Sequence, residues 1–298
     1  MKLRYRITHR TSYGYDEDVM LCHNQAYLLP RHTPRQRSLS SQLLVTPTPS
    51  DAVERMDFYG NRCHHFTLQT PHRQLEVVAT SELEVQPLEG VQGSPHAWET
   101  VAALLADDLS PCGLEARDFT LPSPMVEPTA AVRDYAQASF PPQRPLFDAV
   151  MDLTQRIYRD FTYDAQATTV VTPLSQVLEQ RRGVCQDFAH LAIAGLRSLG
   201  LPARYVSGYL ETLPPPGTPK LRGADASHAW FSVYSLELGW LDFDPTNGQV
   251  PDAHYLTTAW GRDYSDVPPL KGIIFGGGGH TLQVGVDVER VSPSVDLD

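Results

Sequence analysis

Arg182-Gly183-Val184-Cys185-Gln186-Asp187-Phe188-Ala189-His190 sets a cysteine where a helix should begin. From Phe188 onward, Leu191, Ala192, Gly195, Leu196 and Leu199 recur at helical spacing, and Gly200 with Pro202 ends the pattern. At a helix start the backbone N–H groups lack partners and the dipole is positive, and both favour thiolate over thiol. Gly183 is expected to leave room for another backbone to approach the sulfur. A free cysteine is more often a small buried hydrophobe, so Cys185 carries chemistry only if partners for it exist elsewhere in the chain.

The 298 residues suffice for a sizeable core and about two domains. Hydrophobic content of 41% and charged content of 20% describe an ordinary globular composition. A formal net charge of -11 argues against a nucleic-acid partner, since no basic stripe is present to neutralise phosphates. No apolar run is long enough to cross a membrane, and Met1–Arg6 lacks the apolar stretch of a signal peptide, so a cytoplasmic location is expected. Cys22, Cys63, Cys112 and Cys185 lie scattered without CxxC spacing, which fits reduced thiols better than a disulfide frame or a zinc site.

Residues 1 to 88 read as an all-β, sandwich-like domain. Leu3, Tyr5, Ile7 and His9 alternate with polar residues, similar runs follow at 41–45, 63–69 and 75–85, and turn residues such as Pro47-Thr48-Pro49-Ser50 separate them. Cys63, His64 and His65 are consecutive on a strand and point to opposite faces, which speaks against a metal site there. Residues 89 to 127 form a Gly-, Pro- and Ser-rich linker with one packing helix, capped by Ser94, carrying Pro95 in its first turn, and striped with Trp98, Val101, Leu104 and Leu105. Residues 128 to 298 hold the rest. Helices are expected near 130–138, over 146–161 and across Leu174–Leu178, with a strand at 203–209 and a surface loop at Pro214-Pro215-Pro216-Gly217. The Gly276–Gly279 run ahead of His280 is too flexible for a core strand, so a mobile loop near the site is expected, with His280 as a candidate site residue and 281–290 as a last strand.

His228–Tyr234 and Trp240–Asp244 read as two strands. A hairpin centred near Leu236 puts position 228 opposite position 244. Cross-strand neighbours lie about 4.5 to 5.5 Å apart at Cβ, close enough for the Asp244 carboxylate to accept the His228 N–H and fix its tautomer. Asp242 faces the same side, and a register slip of two would exchange the two acids. Cysteine, histidine and carboxylate together make the nucleophile, base and orienter of covalent acyl transfer. Backbone N–H groups at the helix start are the natural oxyanion donors, with Gln186 a weaker one. Trp230, Trp240 and Trp260 offer an apolar channel for substrate that would exclude water.

Gly183–His190, Gly200–Tyr209, His228-Ala229-Trp230 and Phe243–Asn247 resemble the core of the bacterial transglutaminase-like superfamily, and Gly261–Gly272 with the N-terminal β-region is similar to the same subgroup. The resemblance implies an α+β fold, with a papain-like catalytic core preceded by the β-domain, and Cys185, His228 and Asp244 as a triad. It further implies a protein or peptide substrate and no metal or organic cofactor. Transglutaminases, cysteine proteases and other amide-cleaving enzymes share the family, so an enzyme that only hydrolyses stays open beside a transferase. So does a non-catalytic binding protein on the same fold. A zinc site built on Cys185 and His190 would lack its other ligands.

Overall fold

The computed structural model describes residues 2–87, 96–212, 225 and 227–291. Among these, five strands come first: β1 (Leu3–Ala26), β2 (Gln36–Thr46), β3 (Asp51–Met56), β4 (Arg62–Leu68) and β5 (His72–Val85). Helices α1 (Trp98–Asp107), α2 (Pro111–Asp118), α3 (Ala130–Gln137) and α4 (Leu146–Asp160) follow, then β6 (Thr162–Tyr163), α5 (Leu174–Gln180), β7 (Arg182–Gly183) and α6 (Cys185–Ser198). The chain ends in β8 (Ala203–Leu210), β9 (Ser227–Ser235), β10 (Gly239–Phe243), β11 (Tyr255–Gly261), β12 (Leu270–Gly276) and β13 (His280–Arg290). The expected cap Ser94, Pro95 and the loop at 214–217 lie outside the described residues, and α1 starts at Trp98 with no side-chain cap.

The first domain is one seven-stranded sheet rather than two, built around the 24-residue β1. The near half of β1 lies between β5 and β13, and its far half between β4 and β12. Residues 270–290 therefore return to the first domain, which corrects the expected division at 128 to 298. The glycine run is not a free loop either. Asp16 N–H donates to the Gly279 carbonyl at 3.0 Å, Glu17 N–H to that of Gly277 at 3.1 Å, and Gly277 N–H to Asp18 at 3.1 Å. The run carries one edge of the sheet past the bend in β1, and Gly276, Gly277 and Gly278 supply the positive φ values this takes.

The second domain pairs β10-β9-β8-β11 in one antiparallel sheet and lays α6 across β8 and β9. Every residue of α6 from Gln186 to Arg197 is buried, as befits a helix covered by a sheet on one side and by α3, α4 and α5 on the other. From α4, Leu146, Val150, Leu153 and Ile157 fill the same core. Truncating any one of them to Ala should cost about 2 to 5 kcal/mol.

Strand β11 is one edge of this sheet, and the first domain covers it with two side-chain amides. Gln36 donates Nε2 to the Thr257 carbonyl at 2.7 Å and accepts Thr257 N–H at 2.9 Å. Asn61 does the same for Trp260, at 2.7 and 2.9 Å. Each amide imitates a neighbouring strand, so the edge is satisfied and the two domains are held in register.

Candidate active site

The thiol is placed by the start of α6. Val184, the N-cap, has no side-chain acceptor, and only the return half of a capping box forms: Asp187 Oδ2 accepts Val184 N–H at 2.8 Å and the Thr168 hydroxyl at 2.6 Å. A Cβ on Gly183 would lie 2.6 Å from that carboxylate oxygen. Gly183 thus makes room for the capping carboxylate, in place of the passing backbone expected from sequence. Burial holds the Asp187 carboxyl above its usual range, against the two hydrogen bonds that pull it down.

His228 opens β9 and Asp244 follows the last residue of β10. His228 Nε2 donates to Asp244 Oδ2 at 2.8 Å, which leaves Nδ1 for the Cys185 sulfur, a neighbour close enough to raise the imidazole pKa. The strand register differs from the expected one. Ser235 faces Gly239 and Ser232 faces Asp242, so the hairpin centres on Glu237, one residue beyond Leu236. Extending that register brings Asp244 level with Trp230. The side chain keeps its face, because the shift is even, and reaches His228 on the diagonal. Asp242 instead accepts the Ser232 hydroxyl and is no rival for His228.

Asp244 is 0% exposed and fully satisfied. On Oδ2 it also accepts Asn247 Nδ2 at 2.6 Å and the Tyr255 hydroxyl at 2.6 Å; on Oδ1 it accepts the N–H groups of Thr246 at 2.8 Å and Asn247 at 3.3 Å. Burial pushes its carboxyl up, but the bond and charge of His228, then Tyr255 and Asn247, outweigh that and hold it below its usual value. For His228, burial lowers the pKa, while the hydrogen bonds to Asp244 and Cys185 and their charges push it up to about 10. An imidazolium is thus held against the sulfur at neutral pH.

Of the other residues singled out from sequence, Gln186 donates Nε2 to the Val170 carbonyl at 3.2 Å and so anchors the 164–173 segment. Trp230 is 0% exposed, stacks edge-on with Tyr255 at 5.4 Å, and presents no surface to a substrate. It occupies the space that Gly208 leaves, where a Cβ would stand 2.5 Å from the indole. Trp240 and Trp260 flank Arg204 rather than forming a channel to Cys185. His280 contacts Tyr13 and Tyr15 on β1, with no bond to the triad. His190 Nε2 accepts the Tyr264 N–H at 3.1 Å, and burial lowers its pKa to about 4, so it is a neutral structural acceptor and not a metal ligand. Tyr255 was missed because its role appears only once β11 folds back. Asn247 stood within the Phe243–Asn247 motif, where an Asp followed by Pro-Thr-Asn is itself a turn signal.

A buried carboxylate, a histidine bonded to it and a helix-start cysteine thus lie together on an α+β core of papain-like fold. The description "Bacterial transglutaminase-like N-terminal region" matches residues 5–84, and "Transglutaminase-like superfamily" matches residues 133–245. An uncharacterized protein of Mycobacterium tuberculosis is 44% identical over 297 residues, covering 96% of this chain and 92% of that one. An uncharacterized protein of Mycobacterium leprae is 32% identical, covering 97% and 99%. A solved structure from Cytophaga hutchinsonii, described as a candidate cysteine protease, superposes with a TM-score of 0.78 at 23% identity, over 99% of this chain and 92% of that one. The chain belongs to the transglutaminase-like superfamily.

Proposed function

We propose that the protein transfers the acyl group of a glutamine or peptide amide through a thioester on Cys185, with water or an amine as acceptor. The sulfur attacks the carbonyl carbon, and the oxyanion is received by N–H groups of the first turn of α6, including that of Cys185. The C–N bond breaks as His228 gives its proton to the leaving amine. Neutral His228 then takes a proton from water or the incoming amine, which attacks the thioester; the C–S bond breaks, and the sulfur is released beside the protonated ring it started from. Asp244 holds the ring orientation throughout and stabilises the imidazolium.

The observation that carries this reading is the 2.8 Å bond from His228 to a carboxylate with no exposure, while the neighbouring Cys185 sulfur acts on the same ring. Tyr163, 57% exposed, feels the charge of the Cys185 sulfur, and Val171, 80% exposed, follows the Val170 carbonyl that Gln186 holds. An apolar rim beside the thiol favours a protein or peptide substrate over a small polar amide. A protein-glutamine gamma-glutamyltransferase of Pseudomonas aeruginosa is 36% identical over 77 residues, 26% of this chain and 12% of that protein, which favours glutamine as the acyl donor.

The test incubates the pure protein with a glutamine-rich protein and a labelled primary amine, scoring ammonia release and amine incorporation together. Ammonia release that requires Cys185 supports the reading, and peptide-bond cleavage without ammonia replaces it with a protease. Hydrolysis is expected to outrun transamidation, because the rim is open to water and the three tryptophans do not wall it off. Amine incorporation exceeding free acid at millimolar amine reverses that order.

A further inference from the structure

Between the four-stranded sheet and the first domain lies a cavity of about 750 Å³. That is ample for a small organic molecule, since ligand pockets run from about 300 to 1,000 Å³. Neither Cys185, His228 nor Asp244 lines it; its walls come from the 33–36 segment, α2, and the sheet residues Arg204, Trp240, Asp242, Tyr255 and Trp260.

Arg204 is the reason to read this space as a site. It is 5% exposed, and its guanidinium lies 4.2 Å from the Trp240 ring centre and 3.7 Å from that of Trp260. Its one hydrogen bond among the described residues runs from Nε to Ser232 Oγ at 3.5 Å. A buried guanidinium ordinarily spends its donors on carboxylates or carbonyls, as Arg197 does with four acceptors: the carbonyls of Phe119, Ala203 and Arg262, and Ser123 Oγ. Arg204 spends almost none. Two indoles lie beside the guanidinium and the residue lines an open cavity, an arrangement suited to receiving a carboxylate. Arg35, also on the wall, adds a second cation; it donates Nη2 to the Asp252 carbonyl at 3.1 Å, and its buried Nε has no partner.

The charges of Asp242 and Glu115 favour the Arg204 cation, but no acid on the walls is hydrogen-bonded to it among the described residues. Asp242 already accepts the Ser232 hydroxyl, Asp252 accepts His254 N–H at 2.8 Å, and Glu115 is exposed at the mouth. Burial lowers the pKa of Arg204 to about 9, with Asp242 opposing the shift, so the group remains a cation at neutral pH and lacks full compensation. Phe147, Val206 and Leu241 complete an apolar wall around the charge.

We infer that this interdomain cavity binds a small amphipathic carboxylate, its acid group on Arg204 and its apolar body against Trp240 and Trp260. The site is separate from the thiol, although one wall residue, Tyr255, also bonds Asp244.

Isothermal titration of the full chain with 3-phenylpropionate and indole-3-propionate, each against its neutral amide, tests this without reference to catalysis. Saturable binding is expected, with each acid at least tenfold tighter than its amide, and Arg204→Gln should erase that preference while leaving amide binding in place. Leu238→Trp, at a half-exposed position on the mouth, should weaken the acids at least tenfold by filling the entrance. Acids and amides binding alike, no saturable binding at millimolar acid, or a folded Arg204→Gln that keeps the preference would each overturn the inference. Should Arg204→Gln not fold, the acid–amide contrast in the unaltered protein and the Leu238→Trp result still decide it.

Discussion

Two buried charges sit on the same four-stranded sheet under opposite treatment. Asp244 accepts three hydrogen bonds on one oxygen and two on the other, and Arg204 makes one long hydrogen bond with two indoles beside it. Full satisfaction by the protein's own groups pins a side chain to one position, which is what an orienting carboxylate needs. Incomplete satisfaction costs stability and leaves donors for something else to use. The contrast separates a corner built to hold a geometry from a wall built to receive a guest.

The largest effect should come from the atom the Asp244 corner serves. Cys185→Ala should abolish turnover with the fold intact, while Cys112→Ala, at an exposed position, should keep full activity. Steady-state rates with a circular dichroism check measure both. Next come the two acids, whose separation is the sharpest form of the comparison. Asp244→Asn should lower kcat by roughly two to four orders of magnitude with little change in KM, since an amide can select the wrong imidazole tautomer. Asp242→Asn, in the cavity wall, should cost less than about tenfold. If Asp242→Asn is the crippled variant, the division of labour proposed for the sheet is wrong.

A smaller loss is expected from Tyr255→Phe, which removes one of the five bonds to Asp244 and leaves the ring in place. About a tenfold fall in kcat would match one hydrogen bond to a charged group. The smallest effect concerns pH. His228 has its folded pKa pushed up to about 10, so its contribution to stability is complete below the unfolded value of about 6.5 and is lost as pH rises from there through 10. Melting temperature should fall over that window by roughly 5 to 10 °C more in the parent protein than in His228→Gln. Asp244 has the opposite sign: its contribution is complete above the unfolded value of about 3.9 and fades as pH falls below it.

Much of this corner is legible in the sequence because its signals are local. The helix at Cys185 follows from the spacing of Leu191, Ala192, Leu196 and Leu199, and β9 and β10 from their apolar runs before and after Gly239. The pairing register is less so. It depends on a turn across Leu236–Leu238 that closes through Gly239 at φ 68, which no alternation of side chains specifies. Parity survived the error, which is why Asp244 still reached His228. The return of β12 and β13 to β1 is invisible locally, since both complete a sheet whose central strand lies some 250 residues earlier. The Arg204 cavity is of the same kind: arginine, two tryptophans and the 33–36 segment come together only when Gln36 and Asn61 dock on β11.

The most direct measurement is the covalent intermediate itself. The protein, mixed with a glutamine-containing peptide and quenched in acid within the first turnover, would be digested and its cysteine peptides weighed by mass spectrometry. The acyl mass should appear on the Cys185 peptide and be absent after Cys185→Ala. An acyl group on another cysteine, or ammonia release continuing after Cys185→Ala, would contradict Cys185 as the nucleophile that His228 and Asp244 serve.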